Sequence, residues 1–328
     1  MICFVTGAAG FVGRALVDAL LAQGDEVRGL DLRFPADWPA NALRLQGDIC
    51  DLALLEQGCR GAGLVFHLAA LLPQRHAPAA AMRRVNVEGV KCMLDAAQRA
   101  GVRRVVQLSS AEVYGVPSTV PCPEDAPQRP LGEYGRNKVE AERLAGEAGA
   151  RGLEVVILRP PTVVGPKMVD RVLLGTLAAL RRGWPIVVPG GHERFQMVAV
   201  SDLVAACMAA SRAENAGGVA LNIGSDDVPS QIEIFRQLRN GVGSRSPVVP
   251  FPRPLLRGLF RVLLVIGRSP LEPEHVPIVL ADYVFDIRKA RDRLGWRPVK
   301  GNVEALAEAY CWLASLSDLE PHSDPTLS

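Results

Sequence analysis

Residues 5–13 read Val-Thr-Gly-Ala-Ala-Gly-Phe-Val-Gly and follow directly on a short apolar run, Met1–Phe4. An amphipathic pattern comes next, with Phe11, Val12, Ala15, Leu16, Ala19 and Leu20 on its apolar side. An apolar strand thus enters a turn carrying Gly7, Gly10 and Gly13 and leaves it as a helix. A Cβ in such a turn keeps the backbone away from a pyrophosphate. The opening helix aims its free N–H groups and the positive end of its dipole at the anion. The next strand, Glu26–Leu30, runs into Asp31, whose carboxylate can accept hydrogen bonds from both hydroxyls of an adenosine ribose. The spacing is Gly-x-x-Gly-x-x-Gly rather than Gly-x-Gly-x-x-Gly, and tight packing alone could demand three glycines near a helix start. The strand–turn–helix–strand–Asp order is what points to dinucleotide binding.

Strand candidates recur at Ile2–Thr6, Glu26–Leu30, Leu43–Gln46, Leu64–Leu68, Arg104–Leu108 and Glu154–Arg159. Helical patterns at 11–23, 51–58, 78–100 and 134–150 lie between them. Short apolar strands alternating with helices predict an α/β fold with a parallel sheet covered on both faces. Ligands of such sheets sit beyond the carboxyl ends of the strands. Gly7, Asp31, Asp48, His67–Ala70, Ser109 and Ser110 all fall there. From about 160 the prolines cluster and the alternation weakens. Residues 1–160 are therefore expected to form a dinucleotide-binding domain, with strands also contributed from about 195–224. Residues 161–314 are expected to be mainly a substrate-binding region. The stretch 244–254 reads as an extended loop, and 315–328 as a disordered tail.

The bulk numbers narrow the partners. The 328 residues are 48% hydrophobic with a net charge of +2, so neither a nucleic acid nor a membrane is implied as partner. Seven scattered cysteines include no CxxC pair and no His/Cys cluster, so reduced thiols and no metal are expected. The opening strand has no basic n-region or cleavage site, which predicts a cytoplasmic protein without an export signal. The longest apolar stretch, Leu255–Gly267, is interrupted by Arg257 and Arg261 and is too short to span a bilayer. It reads as an amphipathic helix covering a pocket. A helix lying on a membrane surface is the alternative.

Tyr134 and Lys138 stand four residues apart at the start of a helix, which places them on one face. A phenol titrates near 10 in water, so a neighbouring ammonium is expected to favour the phenolate and lower its pKa. Such a tyrosine can exchange a proton with a carbinol while a hydride moves to or from a nicotinamide. Ser109 and Ser110 end the preceding strand, where a hydroxyl can bond the same substrate oxygen. His67 reads as a structural histidine at a strand end.

Together these stretches resemble the extended short-chain dehydrogenase/reductases of the NAD-dependent epimerase/dehydratase superfamily. The likeness runs through Thr6–Gly13, Gly47–Asp51, Val65–Ala70, Asn86–Gly89, Ser109–Gly115 and Tyr134–Lys138. It continues in Leu158-Arg-Pro160, Val164-Gly-Pro166, Asn222-Ile-Gly224 and Leu294–Pro298, and so covers residues 1 to about 312. The resemblance implies a Rossmann-type doubly wound parallel sheet with a smaller, partly interleaved C-terminal substrate-binding region. It implies that Gly7, Gly10 and Gly13 hold the pyrophosphate, backed by Phe11 and Val12, and that Asp31 takes the ribose. Asp48 and Ile49 would flank adenine, and Leu68, Ala69, Ala70 and Ser109 would line the cofactor cleft. Pro160, Pro161 and Thr162 would run beside the nicotinamide. Ser110, Tyr134 and Lys138 would be the catalytic trio, with Lys138 also on the nicotinamide ribose. Asp31 favours NAD because its charge repels a 2′-phosphate, while Arg33 keeps NADP as an alternative. Helices 86–100 and 134–150 would pair across a two-fold axis in a homodimer.

Departures from the family pattern carry the substrate question. The 4,6-dehydratases have an Asp-Glu pair where this chain has Ala111 and Glu112, which argues against dehydration and leaves Glu112 to contact substrate hydroxyls. The usual Asn that touches a diphosphate is Thr162 here. The usual Arg is Phe195, with Arg194 one residue early, and the usual His is Ala199. Thr162, His192 and Arg194 are the remaining substrate candidates. Three small-molecule readings follow. The first is a nucleotide-sugar epimerase or 4-keto reductase. The second is a dehydrogenase or reductase of an apolar alcohol, like the 3β-hydroxysteroid dehydrogenases. The third and remotest is a non-catalytic NAD-binding regulator.

Overall fold

The computed structural model describes residues 1–73, 78–214 and 216–318. From the N-terminus, β1 (Ile2–Thr6) leads to α1 (Phe11–Ala22), β2 (Glu26–Asp31), β3 (Ala42–Gln46), α2 (Leu52–Cys59) and β4 (Leu64–His67). Next come α3 (Ala79–Arg83), a π-helical turn (Arg84–Glu88), α4 (Gly89–Arg99), β5 (Arg104–Leu108), a 3-10 turn (Ala111–Tyr114), α5 (Glu133–Ala150) and β6 (Glu154–Arg159). The second half holds β7 (Thr162–Val164), α6 (Arg171–Arg181), β8 (Ile186–Pro189), β9 (Met197–Ala199), α7 (Val200–Arg212), β10 (Ala220–Asn222) and α8 (Gln231–Gly241). It ends with β11 (Val248–Phe251), α9 (Arg253–Val265), α10 (His275–Val279), α11 (Arg288–Leu294) and α12 (Asn302–Asp318).

Seven strands form one parallel sheet in the order β10-β6-β5-β4-β1-β2-β3. The chain winds from β1 outward to β3, then returns beside β1 and winds the other way from β4. That reversal opens a crevice beyond β1 and β4, the place where ligands of such sheets bind. Strands covered on both faces must be apolar on both, and β1, β4 and β5 are almost continuously buried. Leu16, Val17 and Leu20 of α1 pack on one face together with Leu203 and Cys207 of α7. Leu55 of α2, Met93 and Leu94 of α4, and Ala141 and Ala145 of α5 pack on the other. A third core joins α6, α8, β8, β9 and α12 through Leu177, Leu180, Ile234, Leu238 and Leu306. All seven cysteines are free.

Several local expectations shift. The stretch 244–254 contains a strand, because β11 pairs in parallel with β8 from Val248 to Phe251. The helix expected over 78–100 is interrupted by the π-turn, whose Asn86 turns inward and binds the backbone N–H and carbonyl of Leu71 at 2.8 and 3.0 Å. The tail expected from 315 is helical to Asp318, and its remainder lies outside the described residues.

A buried ion pair ties the ends of β5, β6 and β10 to α5. The Arg159 Nη2 donates to Glu142 Oε2 at 2.6 Å, and both side chains are 7% exposed. Ser109 and Gln128 donate to the same carboxylate, at 2.5 and 2.6 Å. Arg159 also reaches the Tyr114 hydroxyl at 2.6 Å, and that hydroxyl donates to Asn222 at 2.8 Å. Burial opposes the Arg159 charge, yet Glu142 and Tyr114 hold its pKa above the ordinary guanidinium value. Removing one member strands the other in the core. Arg159→Met is expected to destabilise the fold by about 3–5 kcal/mol, read as a lowered urea midpoint in equilibrium unfolding.

Candidate active site

The turn after β1 shows why its glycines are there. Gly7 has φ +67°, and a Cβ on it would sit 2.7 Å from the Ala69 backbone nitrogen across the sheet crevice. A Cβ on Gly13 would sit 2.0 Å from the Gly7 carbonyl oxygen. Both are demanded by the chain's own close approach. Gly10 is different: it meets only the Gly7 oxygen, at 3.2 Å, and serves as N-cap of α1 with no side-chain cap. The helix therefore opens with uncapped N–H groups beside a cavity that Gly10, Phe11 and Val12 line. These features fit an anionic pyrophosphate.

The cavity has a volume of about 1360 Å³ and spans the carboxyl ends of β1, β4, β5 and β6. It exceeds the roughly 300–1,000 Å³ of an ordinary ligand site, which leaves room for a dinucleotide beside a second molecule. The structure brings Gly7, Gly10, Phe11, Val12, Gly13, Leu68, Ala70, Ser109, Ser110, Glu112, Tyr134, Lys138, Pro160, Pro161 and Thr162 to its wall. Other expected residues stand apart from that wall. Asp31 sits beside it, its carboxylate accepting from the backbone N–H of Ala9 and Leu32 at 3.0 and 2.8 Å. Arg33 is exposed. Asp48 binds Arg84 at 2.8 Å and the Cys50 N–H at 2.8 Å; burial would raise its pKa, but these partners bring it below the usual carboxylate value. Ile49 is a core side chain packed with Leu55 and Val90, and Ala69 contributes backbone against Gly7. His192 is exposed, and Arg194 turns to Asp282 at 3.5 Å. In Arg194's stead, Phe195 faces the cavity.

The trio converges at the head of α5. Tyr134 and Lys138 are buried on one helical face, with the Lys138 Nζ 5.6 Å from the centre of the Tyr134 ring. The Lys138 ammonium donates to the Leu108 carbonyl at 2.8 Å. The Ser110 hydroxyl oxygen accepts from the Glu112 N–H at 3.1 Å, which places it beside the head of the helix that carries Tyr134. The expected lowering of the phenol pKa is not what this geometry produces. Burial, and then the Glu112 charge, push Tyr134 above its ordinary value, with the nearby Ser110 hydroxyl opposing them. Burial lowers Lys138 to about 8 against the pull of Glu142 and Glu112. The Ser109 hydroxyl is committed to Glu142, so its role at this wall is structural.

Two further histidines bear on the site. His67 is buried at the end of β4, with Nδ1 2.8 Å from the Thr6 hydroxyl oxygen; burial and the Lys138 charge lower it to about 3, so it is neutral at physiological pH. His275 lines the cavity from α10, its Nε2 3.5 Å from Glu112 Oε2. Burial works against its charge, but Glu112 raises its pKa above the ordinary histidine value. Glu112 is thus a paired carboxylate within the cavity rather than a solvated one at its mouth. Sequence reasoning missed His275, because no motif surrounds it and only the fold carries residues 275 and 112 together.

Residues 3–224 match the model of the NAD dependent epimerase/dehydratase family. The chain is 33% identical to a putative dihydroflavonol 4-reductase of Synechocystis sp., over 94% of this chain and 93% of that protein. It is 29% identical to sterol demethylase protein B of Methylococcus capsulatus, over 95% and 98% of the two chains. The solved structure of MoeE5 in complex with UDP-glucose and NAD superposes with a TM-score of 0.78 at 31% identity, covering 97% of this chain and 100% of that one.

The buried lysine sets a stability test. Its folded pKa of about 8 lies below the ordinary lysine value of 10.5. The native state then carries the full cost of the buried charge below about pH 8 and sheds it as pH rises toward the unfolded value, where the unfolded chain binds more protons. Between pH 7 and pH 10 the stability of the wild type relative to Lys138→Met should rise by roughly 2–3 kcal/mol, measured by paired denaturant titrations.

Proposed function

The chain belongs to the NAD-dependent epimerase/dehydratase family, and on that premise we propose that it interconverts a secondary carbinol and its ketone on an apolar small molecule. The observation that carries this reading is the substrate end of the cavity. Phe195, Leu256, Leu259, Phe260, Ile278 and Tyr283 line it, while Arg194 is turned away to Asp282. In this reading residues 1–160, with strands from about 195–224, hold the cofactor, and 161–314 supply most of the substrate wall. A site walled by aliphatic and aromatic side chains binds through removal of apolar surface from water and is poorly equipped to neutralise a diphosphate.

NAD, when bound, supplies the hydride acceptor or donor. The uncapped start of α1 at Gly10, Phe11 and Val12 would hold its pyrophosphate, and Asp31 its ribose. Ser110 fixes the substrate oxygen through its hydroxyl. Tyr134 exchanges the proton at that oxygen, acting as acid toward a ketone and as base toward a carbinol. Its raised pKa suits the acid role, because the protonated phenol is the resting form. Lys138 supplies positive charge beside the phenol when the phenolate forms. The Glu112–His275 pair offers a carboxylate and an imidazole for polar groups of the substrate.

A nucleotide-sugar epimerase or 4-keto reductase is the second reading. It is favoured by Lys167 and Arg171, two exposed cations that also line the cavity, and by the likeness to a UDP-glucose-bound structure. A homodimer through the outward sides of α4 and α5 belongs to the same proposal. Those sides carry Lys91, Arg136, Arg143 and Glu147, and a solution-scattering mass of one chain overturns it.

Denaturing the purified protein and identifying the released nicotinamide separates the apolar-alcohol reading from the epimerase. The apolar-alcohol reading expects a largely empty protein that exchanges cofactor every cycle; a stoichiometric complement of NAD turns the assignment to the epimerase. In either case Tyr134→Phe should lower kcat by about 10²–10⁴-fold while NAD still binds. Retained turnover in that variant removes Tyr134 from the chemistry.

A further inference from the structure

Helix α9 has two apolar faces, and the fold uses one of them. Leu256 is buried against Val276 and Leu280, with Phe260 and Leu264 partly buried beside it. On the other side Leu255, Val262 and Val265 are 60%, 58% and 87% exposed, joined by Leu259 and, just past the helix, Ile266. Arg257 and Arg261, one turn apart, run along the edge of this stripe, and both are exposed, as is Arg268. Residues 253–268 contain four arginines and no acidic residue. The helix is also part of the cavity wall, through Leu256, Leu259 and Phe260. Exposed aliphatic residues from other elements, Val169 and Val187, line the same cavity. The apolar outer face of α9 is therefore continuous with the apolar interior of the substrate cavity.

We propose that α9 lies in the surface of an anionic lipid bilayer and that the cavity draws a lipid-dissolved secondary alcohol or ketone from that layer. An amphipathic helix with aliphatic side chains on one face and arginines at its edge lies in the plane of the interface, its apolar side at the boundary of the acyl chains. At 1.5 Å per residue its 13 residues reach about 20 Å, short of the roughly 30 Å hydrocarbon core, so it rests on the layer. The excess of arginine selects the partner. Anionic headgroups complement it, whereas a second copy meeting through the same face would bring two arginine edges together. The substrate half of this inference rests on the apolar-alcohol reading above; the docking half does not.

The test is co-sedimentation of the full chain with phosphatidylcholine vesicles that contain or lack phosphatidylglycerol. The expected result is binding about 100-fold tighter to the anionic vesicles, from three arginines at about 1 kcal/mol each. Leu255→Gln/Val262→Gln/Val265→Gln changes side chains outside the cavity wall and should abolish vesicle binding while leaving NAD binding intact. Arg257→Gln/Arg261→Gln should erase most of the preference for phosphatidylglycerol. A wild-type chain that stays in the supernatant with both vesicles overturns the proposal. So does a triple variant that binds as wild type, or one that converts a dimer to a monomer, which would assign the face to a second copy. A second arm compares reduction of a hydrophobic ketone carried in the anionic vesicles with that of a short water-soluble ketone. The triple variant should lose about tenfold in kcat/KM on the first and nothing on the second. If neither ketone turns over while the vesicle binding holds, the failure lies with the apolar-alcohol reading and not with the docking.

Discussion

Ser110, Tyr134 and Lys138, the residues proposed to carry the chemistry, hold their places because Arg159 and Glu142 neutralise each other in the core. The pair occupies the point where β5, β6 and α5 meet, beneath the cavity floor. Ser109 precedes Ser110, Lys138 lies one helical turn before Glu142, and Arg159 precedes Pro160. Each contact to the pair therefore fixes the neighbour of a residue that faces the cavity. An unpaired charge at this depth costs several kcal/mol, so the geometry is strongly enforced. Gln128 and Tyr114 satisfy what remains of the two charged groups, and a nearly complete polar network in low dielectric resists rearrangement.

The glycine turn is a second constraint, of a different kind. Gly7 permits backbone to touch backbone where β1 meets the loop after β4, and Gly13 permits the start of α1 to fold back on the turn itself. Gly10 leaves the start of α1 bare. The same three residues thus close the sheet crevice and leave bare N–H groups at its edge. Asn86 completes the arrangement by fastening Leu71 to the π-turn, which fixes the wall that continues through Leu72 and Pro73.

Most of the sheet was legible in the sequence, because a strand buried on both faces must be a short apolar run and the runs stand out between helical patterns. β1, β5 and β6 have the boundaries expected, and β2, β3 and β4 shift by a residue at one end. The glycine turn and the Tyr134–Lys138 pair were legible for a similar reason: their chemistry depends on spacings of a few residues. What could not be read depends on distant packing. The direction taken by Arg194 is set by Asp282, and the partner of Glu112 is His275. Ile49 is drawn into the core by its contact with Gly89, and β11 exists because β8 lies beside it. The sequence suggests a lowered phenol pKa because proximity to an ammonium is legible in a four-residue spacing, whereas the burial and the Glu112 charge that raise it are not.

The polar network that begins at Ser109 ends at Asn222, the last residue of the edge strand β10. The Asn222 side chain also binds the carbonyls of Cys122 and Asp286. Its members come from positions more than a hundred residues apart in the chain. Contacts of such sequence separation form slowly, because chain entropy must be lost before they can repay it. The geometry around Arg159 consequently depends on contacts that no local segment can form alone. A chain whose first six strands had already paired would still lack the Asn222 that holds Tyr114, and with it the final seating of Arg159. A side chain on the outermost strand of the sheet is in this way a structural part of a cavity wall built on its inner strands.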